Sequence, residues 1–96
     1  MMRERRKKFR KSISFSKLLF LCTIGWVHLY KPNPPENGVI VFDLYEVICL
    51  ERNKGKMSVH VKDKLNREFI WNMTQVNMCY VKFIRDDNAG PHFYSI

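Results

Sequence analysis

Cysteine and histidine are the side chains with which this sequence could bind a metal or carry out redox chemistry. No two cysteines form a C-x-x-C pair, and the histidines have no metal-ligand spacing. The sequence therefore predicts no metal site and no cofactor. We interpret His60, which alternates with valines, as a solvated residue of a strand, and Cys22 as a packing residue. The six residues are Cys22, Cys49, Cys79, His28, His60 and His92.

The known sequence motifs of catalysis are also missing. There is no P-loop, no G-x-G-x-x-G segment and no nucleophile elbow, and the serines have no base and orienting residue nearby in the sequence. We therefore expect a protein that is not an enzyme and that binds no small-molecule substrate.

Two covalent modifications depend on the compartment of the C-terminal half. Asn72-Met73-Thr74 is an N-glycosylation sequon. Cys49 and Cys79 could form a disulfide in an oxidising compartment. Both modifications require this half to be luminal or extracellular, whereas a cytoplasmic location would leave Asn72 bare and the cysteines reduced.

The positive charge of the chain is concentrated at its N-terminus. The chain has 96 residues and a net charge of +8, which fits one small domain and excludes a multidomain enzyme or a self-contained pore. Residues 1–11 carry seven basic side chains and one acidic one, which is +6 of that charge. Such a segment is typical of a nucleic-acid arm, a localisation signal or the cytoplasmic flank of a membrane segment. The basic residues are Arg3, Arg5, Arg6, Lys7, Lys8, Arg10 and Lys11.

An uncharged apolar run directly follows the basic segment. It covers Leu18 to Tyr30 and extends back to Ser12 with one lysine, giving 19 residues. This length and an aromatic pair near its end favour a transmembrane helix or signal anchor, with the N-terminus cytoplasmic by the positive-inside rule. The alternatives are a buried helix of a soluble domain and a cleaved signal peptide.

A proline-rich turn separates this run from a second apolar run. Residues 31–38 hold three prolines and a glycine, and residues 39–50 follow as a β-branched and aromatic segment. Either a helix or a strand fits the second run. A helix would place Asp43 and Glu46 on one face and complete a helical hairpin, whereas a strand would place them on opposite faces. The two acids are either contacts for a partner subunit or markers of a solvent side.

The remaining residues, 51–96, predict a small antiparallel β-meander. Four strands are expected, over 56–62, around Phe69 to Met73, over 75–85 and over 92–96. No amphipathic helix follows to cover the apolar face of such a sheet. The predicted fold is thus a membrane helix or short helical hairpin (12–50) after a basic cytoplasmic tail (1–11), followed by the β segment (51–96).

This arrangement resembles a family of small membrane proteins. Two apolar runs followed by the turn Glu51-Arg52-Asn53-Lys54-Gly55-Lys56 and alternating strands resemble proteins with a pleckstrin-homology-like sheet. Within these, the chain is similar to the theta auxiliary subunits of the sperm calcium channel CatSper. The resemblance implies two membrane helices, cytoplasmic N-terminal and β segments, part of a pleckstrin-homology-like sheet, and an assembly role beside the pore in the flagellar plasma membrane.

The resemblance does not imply phosphoinositide binding. The basic residues of the β segment either meet anionic headgroups or form a solvated sheet edge. These residues are Lys54, Lys56, Lys62, Lys64 and Arg67.

We therefore expect a non-enzymatic accessory subunit of a membrane protein complex, by resemblance a sperm cation channel. Its partners would be the membrane and other membrane-protein subunits, and not nucleic acid. The alternative function is a single-pass signal-anchor protein with a small luminal or extracellular binding domain. A soluble protein with a nucleic-acid-binding tail is a third hypothesis, which the apolar run disfavours.

Overall fold

The chain folds as an antiparallel sheet with a short helix packed on one face. The computed structural model describes residues 12–35, 37–86 and 88, together with the backbone of residues 93–95. The elements in chain order are α1 (Phe15–Ile24), β1 (Gly25–Pro32), β2 (Phe42–Asn53), β3 (Lys56–Asp63), β4 (Glu68–Trp71), α2 (Met73–Val76), β5 (Tyr80–Arg85) and β6 (Phe93–Ser95).

Five strands form the body of the sheet in the order β4-β3-β2-β1-β5, and all neighbouring pairs are antiparallel. The long strand β2 pairs with β1 through residues 42–46. Farther along, it pairs with β6 in parallel through residues 50–52. Strands β2, β3 and β4 form a meander. The chain then crosses from β4 at one edge to β5 at the other.

The apolar run of residues 18–30 contains a helix and a strand. Ser14 is the N-cap of α1, and its Oγ accepts a hydrogen bond from the backbone N–H of Lys17 at 3.0 Å. The helix ends at Gly25, where the backbone becomes extended. From there β1 alternates, with Gly25, Val27 and Leu29 buried and the residues between them half-buried.

The prediction of a transmembrane helix at residues 12–30 is therefore wrong. α1 has only 10 residues, or about 15 Å of helix, whereas a bilayer core is about 30 Å thick. No helix in the described part of the chain is long and apolar enough to cross a membrane. The membrane and transmembrane descriptions drawn from the sequence are corrected by the same observation.

The second apolar run is a strand, so the predicted helical hairpin is also wrong. Val39 to Val41 lie in the connection, and β2 continues past residue 50, where the β segment was expected to begin. A β-bulge between Val47 and Cys49 shifts the register with β3. Because of the bulge, Val47 and Leu50 are both buried although they are three residues apart. The turn after β2 has Lys54 and Gly55 at positive φ, as a tight hairpin turn requires.

The segment after β3 differs in detail from the prediction. The second predicted strand ends at Trp71, and a short capped helix, α2, occupies Met73–Val76. Asn72 and Gln75 form a reciprocal capping box at its start. The third predicted strand therefore begins at Tyr80 and not at Gln75. The fourth corresponds to β6, and its residues 92 and 96 lie outside the described residues.

The core lies between the sheet and the helical segments on one of its faces, which we call the covered face. α1 supplies Phe15, Leu18 and Cys22, and the crossover from β4 to β5 supplies Val76 and Cys79. The backbone N–H of Ile13 donates to Asn77 Oδ1 at 2.7 Å and thereby joins the start of α1 to the crossover. The strands contribute Val27, Leu29, Val47, Leu50, Val59, Val61 and Trp71.

Candidate interaction surface

Five ionisable residues form a row across the face of the sheet opposite α1, which we call the open face. They are direct cross-strand neighbours, one from each strand of the body of the sheet. From the β5 edge to the β4 edge, the row is Lys82, His28, Glu46, Lys62 and Glu68. Lys82 and His28 are both bases, and from His28 onward bases and acids alternate. Opposite charges on directly paired positions, as in Glu46 with Lys62, stabilise a sheet. The three central members are half-buried, and the two outer members are exposed.

Apolar and aromatic side chains lie on both sides of this ionisable row. Toward the β1–β2 connection, Tyr30 pairs with Tyr80 and Leu44, and Phe42 packs edge-on against Tyr80 with ring centroids 5.4 Å apart. Toward the other end, Trp26 pairs with Ile84, and His60 with Ile70 and Cys49. Three of these apolar side chains are exposed: Phe42 (41%), Ile70 (65%) and Ile84 (39%). The open face therefore combines apolar contact area with a central line of charges.

Trp26 is fixed at the edge of this surface by a hydrogen bond. Its Nε1–H donates to Asp86 Oδ2 at 2.9 Å, and the backbone N–H of Asn88 donates to Asp86 Oδ1 at 3.0 Å. The bond from Trp26, followed by that from Asn88, lowers the pKa of the Asp86 carboxyl below its ordinary value of 3.8. The carboxylate thus orients the indole ring beside Ile84.

The Trp26–Asp86 bond is expected to break at acid pH. Because the folded-state pKa of Asp86 is lowered, the bond stabilises the fold above pH 3.8 and is lost as the pH falls through the lowered value. We predict that the indole N–H resonance of Trp26 moves in this acid range in NMR spectra. The Asp86→Asn variant should abolish that titration and leave the resonance of Trp71 unchanged. An unaltered titration of the Trp26 resonance in the variant would contradict its assignment to the Asp86 carboxyl.

His60 is half-buried and paired, and is not the solvated residue that the sequence predicts. Its Nε2 lies 2.9 Å from Glu51 Oε1, and both side chains are about a quarter exposed. Glu51 is two positions along β2 from Cys49, the residue that pairs with His60. The pair extends the polar part of the open face toward the β2–β3 turn.

The two acids singled out in the sequence have different surroundings. Glu46 belongs to the ionisable row, between His28 and Lys62. Asp43 lies at the exposed start of β2, where its Oδ2 accepts from Asn33 Nδ2 at 2.9 Å. The structure does not bring them together, and contact of either with a partner stays a prediction. Residues 1–11, with the seven predicted topology residues, lie outside the described residues.

The residues predicted for covalent modification lie apart from the ionisable row. Asn72 is exposed, and its Oδ1 caps α2 by accepting from the Gln75 N–H at 2.9 Å. Cys22 and Cys79 are buried thiols and Cys49 is half-buried. Burial, and then the neighbouring Cys49, raise the pKa of Cys22 to about 12, which keeps this thiol neutral. Glycosylation of Asn72 and a Cys49–Cys79 disulfide stay predictions.

Within the described residues, no group of three or more histidine, cysteine, aspartate or glutamate side chains could hold a metal ion. The ionisable row cannot be identified from the sequence, although His28, Glu46 and Lys82 each stand between two apolar or aromatic residues. Only the strand register aligns the five residues, and the sequence carries no direct signal for that register. Comparisons of the chain with protein-family models, curated proteins and solved structures found no match.

Proposed function

We propose that the protein is a non-enzymatic accessory subunit that binds a larger protein through the open face of its sheet. The observation that supports this proposal is the exposed apolar side chains on both sides of the ionisable row, Phe42, Ile70 and Ile84 among them. A sheet face that carries apolar groups usually packs against another layer. No described helix packs on the open face. An exposed apolar patch with polar residues across it is typical of an interaction site.

The dimensions of the open face suit a protein partner. Five strands of 4 to 12 residues, spaced about 4.8 Å apart, give a surface of roughly 600 Å² before side-chain relief. Stable protein interfaces bury about 800 Å² per partner. Phe42, Tyr80 and Trp26 supply the aromatic groups that contribute most in such interfaces, and the ionisable row supplies orientation, since only one register of a charged partner satisfies it.

The proposal can be tested with photo-crosslinking side chains placed in the full chain. Benzoylphenylalanine at Ile70 or Ile84 reports on the open face, and the same group at Phe20, which is exposed on α1, is the matched control. We expect a protein adduct from the two sheet positions that is absent from the helix position and that Lys82→Glu removes. Equal adducts from all three positions, or none from the sheet positions, would overturn the proposal.

The identity of the adduct tests the finer proposal that the resemblance provides. A cation-channel subunit captured from sperm membranes would support an accessory role in that channel complex. A partner unrelated to a channel would overturn this finer proposal and leave the accessory role intact.

A further inference from the structure

The two outermost strands of the body of the sheet carry the same short pattern with opposite charge. β5 contains Lys82-Phe83-Ile84, and β4 contains Glu68-Phe69-Ile70. In each triplet the charged residue is the outer member of the ionisable row, and the isoleucine follows two residues later on the open face. The charged side chains and both isoleucines are exposed. The two sides of the open face therefore present matching apolar groups and opposite charges.

These two strands are placed symmetrically about the central strand. β2 is the third of the five strands, so β4 and β5 each lie two strand spacings, or about 10 Å, away from it. Because all neighbouring pairs are antiparallel, β4, β2 and β5 run in the same direction. A two-fold axis parallel to β2 and above the open face would therefore bring β5 of one chain over β4 of another, with both triplets in the same direction.

We propose that the open face binds the open face of a second copy of this chain about this axis when the partner protein is absent. Lys82 of each copy then lies opposite Glu68 of the other, and Ile84 lies opposite Ile70. The symmetry forms each of these contacts twice. Two sheets that pack face to face lie about 10 Å apart with their strands within about 30° of each other, and the axis can bisect that angle.

The charges of the ionisable row favour this orientation over its alternative. If the axis ran along the row instead, Lys82 would face Lys82 and Glu68 would face Glu68. On the axis parallel to β2, Glu46 faces its counterpart in the second copy, but His28 and Lys62 flank it on its own sheet. The row holds two lysines and two glutamates, so with neutral histidine it has no net charge and two rows do not repel each other at long range.

The open face is large enough for such a dimer. Its flat footprint of roughly 600 Å² becomes a larger accessible area once the protruding side chains are included, and stable interfaces bury about 800 Å² per copy. The dimer would cover the exposed apolar side chains until the partner protein displaces the second copy. This regulatory role rests on the proposed function, because both use the same face, whereas formation of the dimer does not depend on it.

Sedimentation equilibrium of the purified full chain over a concentration series tests the dimer. We expect a dimer whose dissociation constant rises at least about tenfold in Lys82→Glu and in Glu68→Lys, since two like-charge contacts replace two attractive ones in each variant. The double variant Lys82→Glu, Glu68→Lys reverses both charges and should return the dissociation constant to within about threefold of the natural value. Lys17→Glu, at an exposed position of α1, is the matched control and should leave it unchanged.

Rescue by the double variant identifies a contact between copies. Lys82 and Glu68 lie four strand spacings apart on one sheet, or about 19 Å, so they cannot compensate each other within a chain. The proposal is overturned if the natural chain stays monomeric throughout the series, if Lys17→Glu weakens the dimer as much as Lys82→Glu, or if the double variant stays as weak as the single ones. Circular dichroism checks that each variant has the native fold.

The crosslinking experiment on the open face separates this proposal from the proposed function. An adduct with the mass of two chains reports the second copy, and an adduct of any other mass reports the partner protein. The double charge variant should keep the first adduct and lose the second, because the partner's charges are unchanged. A monomeric chain that still forms the partner adduct overturns the dimer alone, and a dimer without a partner adduct overturns the proposed function alone.

Discussion

Replacing Gly25 with alanine is expected to destabilise the fold by about 2–4 kcal/mol. A Cβ at this position would lie 2.2 Å from the carbonyl oxygen of Ile84 and 2.6 Å from Phe83 Cε1. Because the first of these atoms is backbone in the paired strand β5, neither strand can move without disturbing the ladder. The φ of Gly25 is 175°, so the effect comes from crowding and not from backbone conformation. Urea unfolding followed by circular dichroism measures the change.

Gly55→Ala is the matched control for this experiment. Gly55 has a φ of +83°, but nothing lies within 4 Å of a Cβ added there. Its substitution should cost about 1 kcal/mol, through backbone conformation alone. Equal losses for the two alanine variants would show that β1 and β5 do not approach each other as closely as described.

Replacing Leu18 with alanine is expected to destabilise the fold by about 2–5 kcal/mol, because the truncated side chain leaves a cavity between α1 and the sheet. Leu18 is completely buried, whereas Phe20, two residues further along the same helix, is 54% exposed. Phe20→Ala should change the free energy of unfolding by no more than about 0.5 kcal/mol. The same urea unfolding series measures both variants.

The difference in lost stability between Leu18→Ala and Phe20→Ala tests the packing of α1 more strictly than either loss alone. In a helix surrounded evenly by lipid or solvent, the larger phenylalanine would matter at least as much as the leucine. A loss for Phe20→Ala that equals or exceeds the loss for Leu18→Ala would contradict the packing of α1 on the covered face. Leu18→Met, which preserves volume, should recover most of the stability.

The strand pattern after residue 55 could be read from the sequence because burial there follows simple alternation. Val59 and Val61 are both buried in β3, as their spacing predicts. The sequence does not show where the next strand ends, since Met73 continues the alternation of Phe69 and Trp71. The capping box of Asn72 and Gln75 ends the strand instead.

Apolar character alone does not distinguish a helix from a strand, so it predicts the wrong elements for the N-terminal half. The uncharged run of residues 18–30 contains most of α1 and most of β1. The change from helical to strand periodicity falls at Gly25, which has no side chain. In β2 the bulge buries Val47 and Leu50 together, and a three-residue spacing of apolar positions is the one typical of a helix. The position of Asp43 does not require a polar face on β2, because this residue lies at the exposed beginning of the strand.

The ionisable row of the open face could not be predicted from the sequence for a different reason. His28 and Lys82 are 54 positions apart in the numbering and become neighbours only through the pairing of β1 with β5. The sequence predicts strands but contains no local signal that assigns this non-consecutive pair. The candidate interaction surface could therefore be found only from the register.

The pairing of β1 with β5 also has a consequence for how the chain acquires its structure during synthesis. Leu29 finds its partner Val81 only after the intervening strands have been made. Closing so long a loop is entropically costly, so contacts of this type tend to form late and slowly. Until they form, β1 presents an unpaired edge and α1 rests on an incomplete sheet. A nascent chain at this stage is open to pairing with foreign strands, which makes early association with a partner or chaperone advantageous.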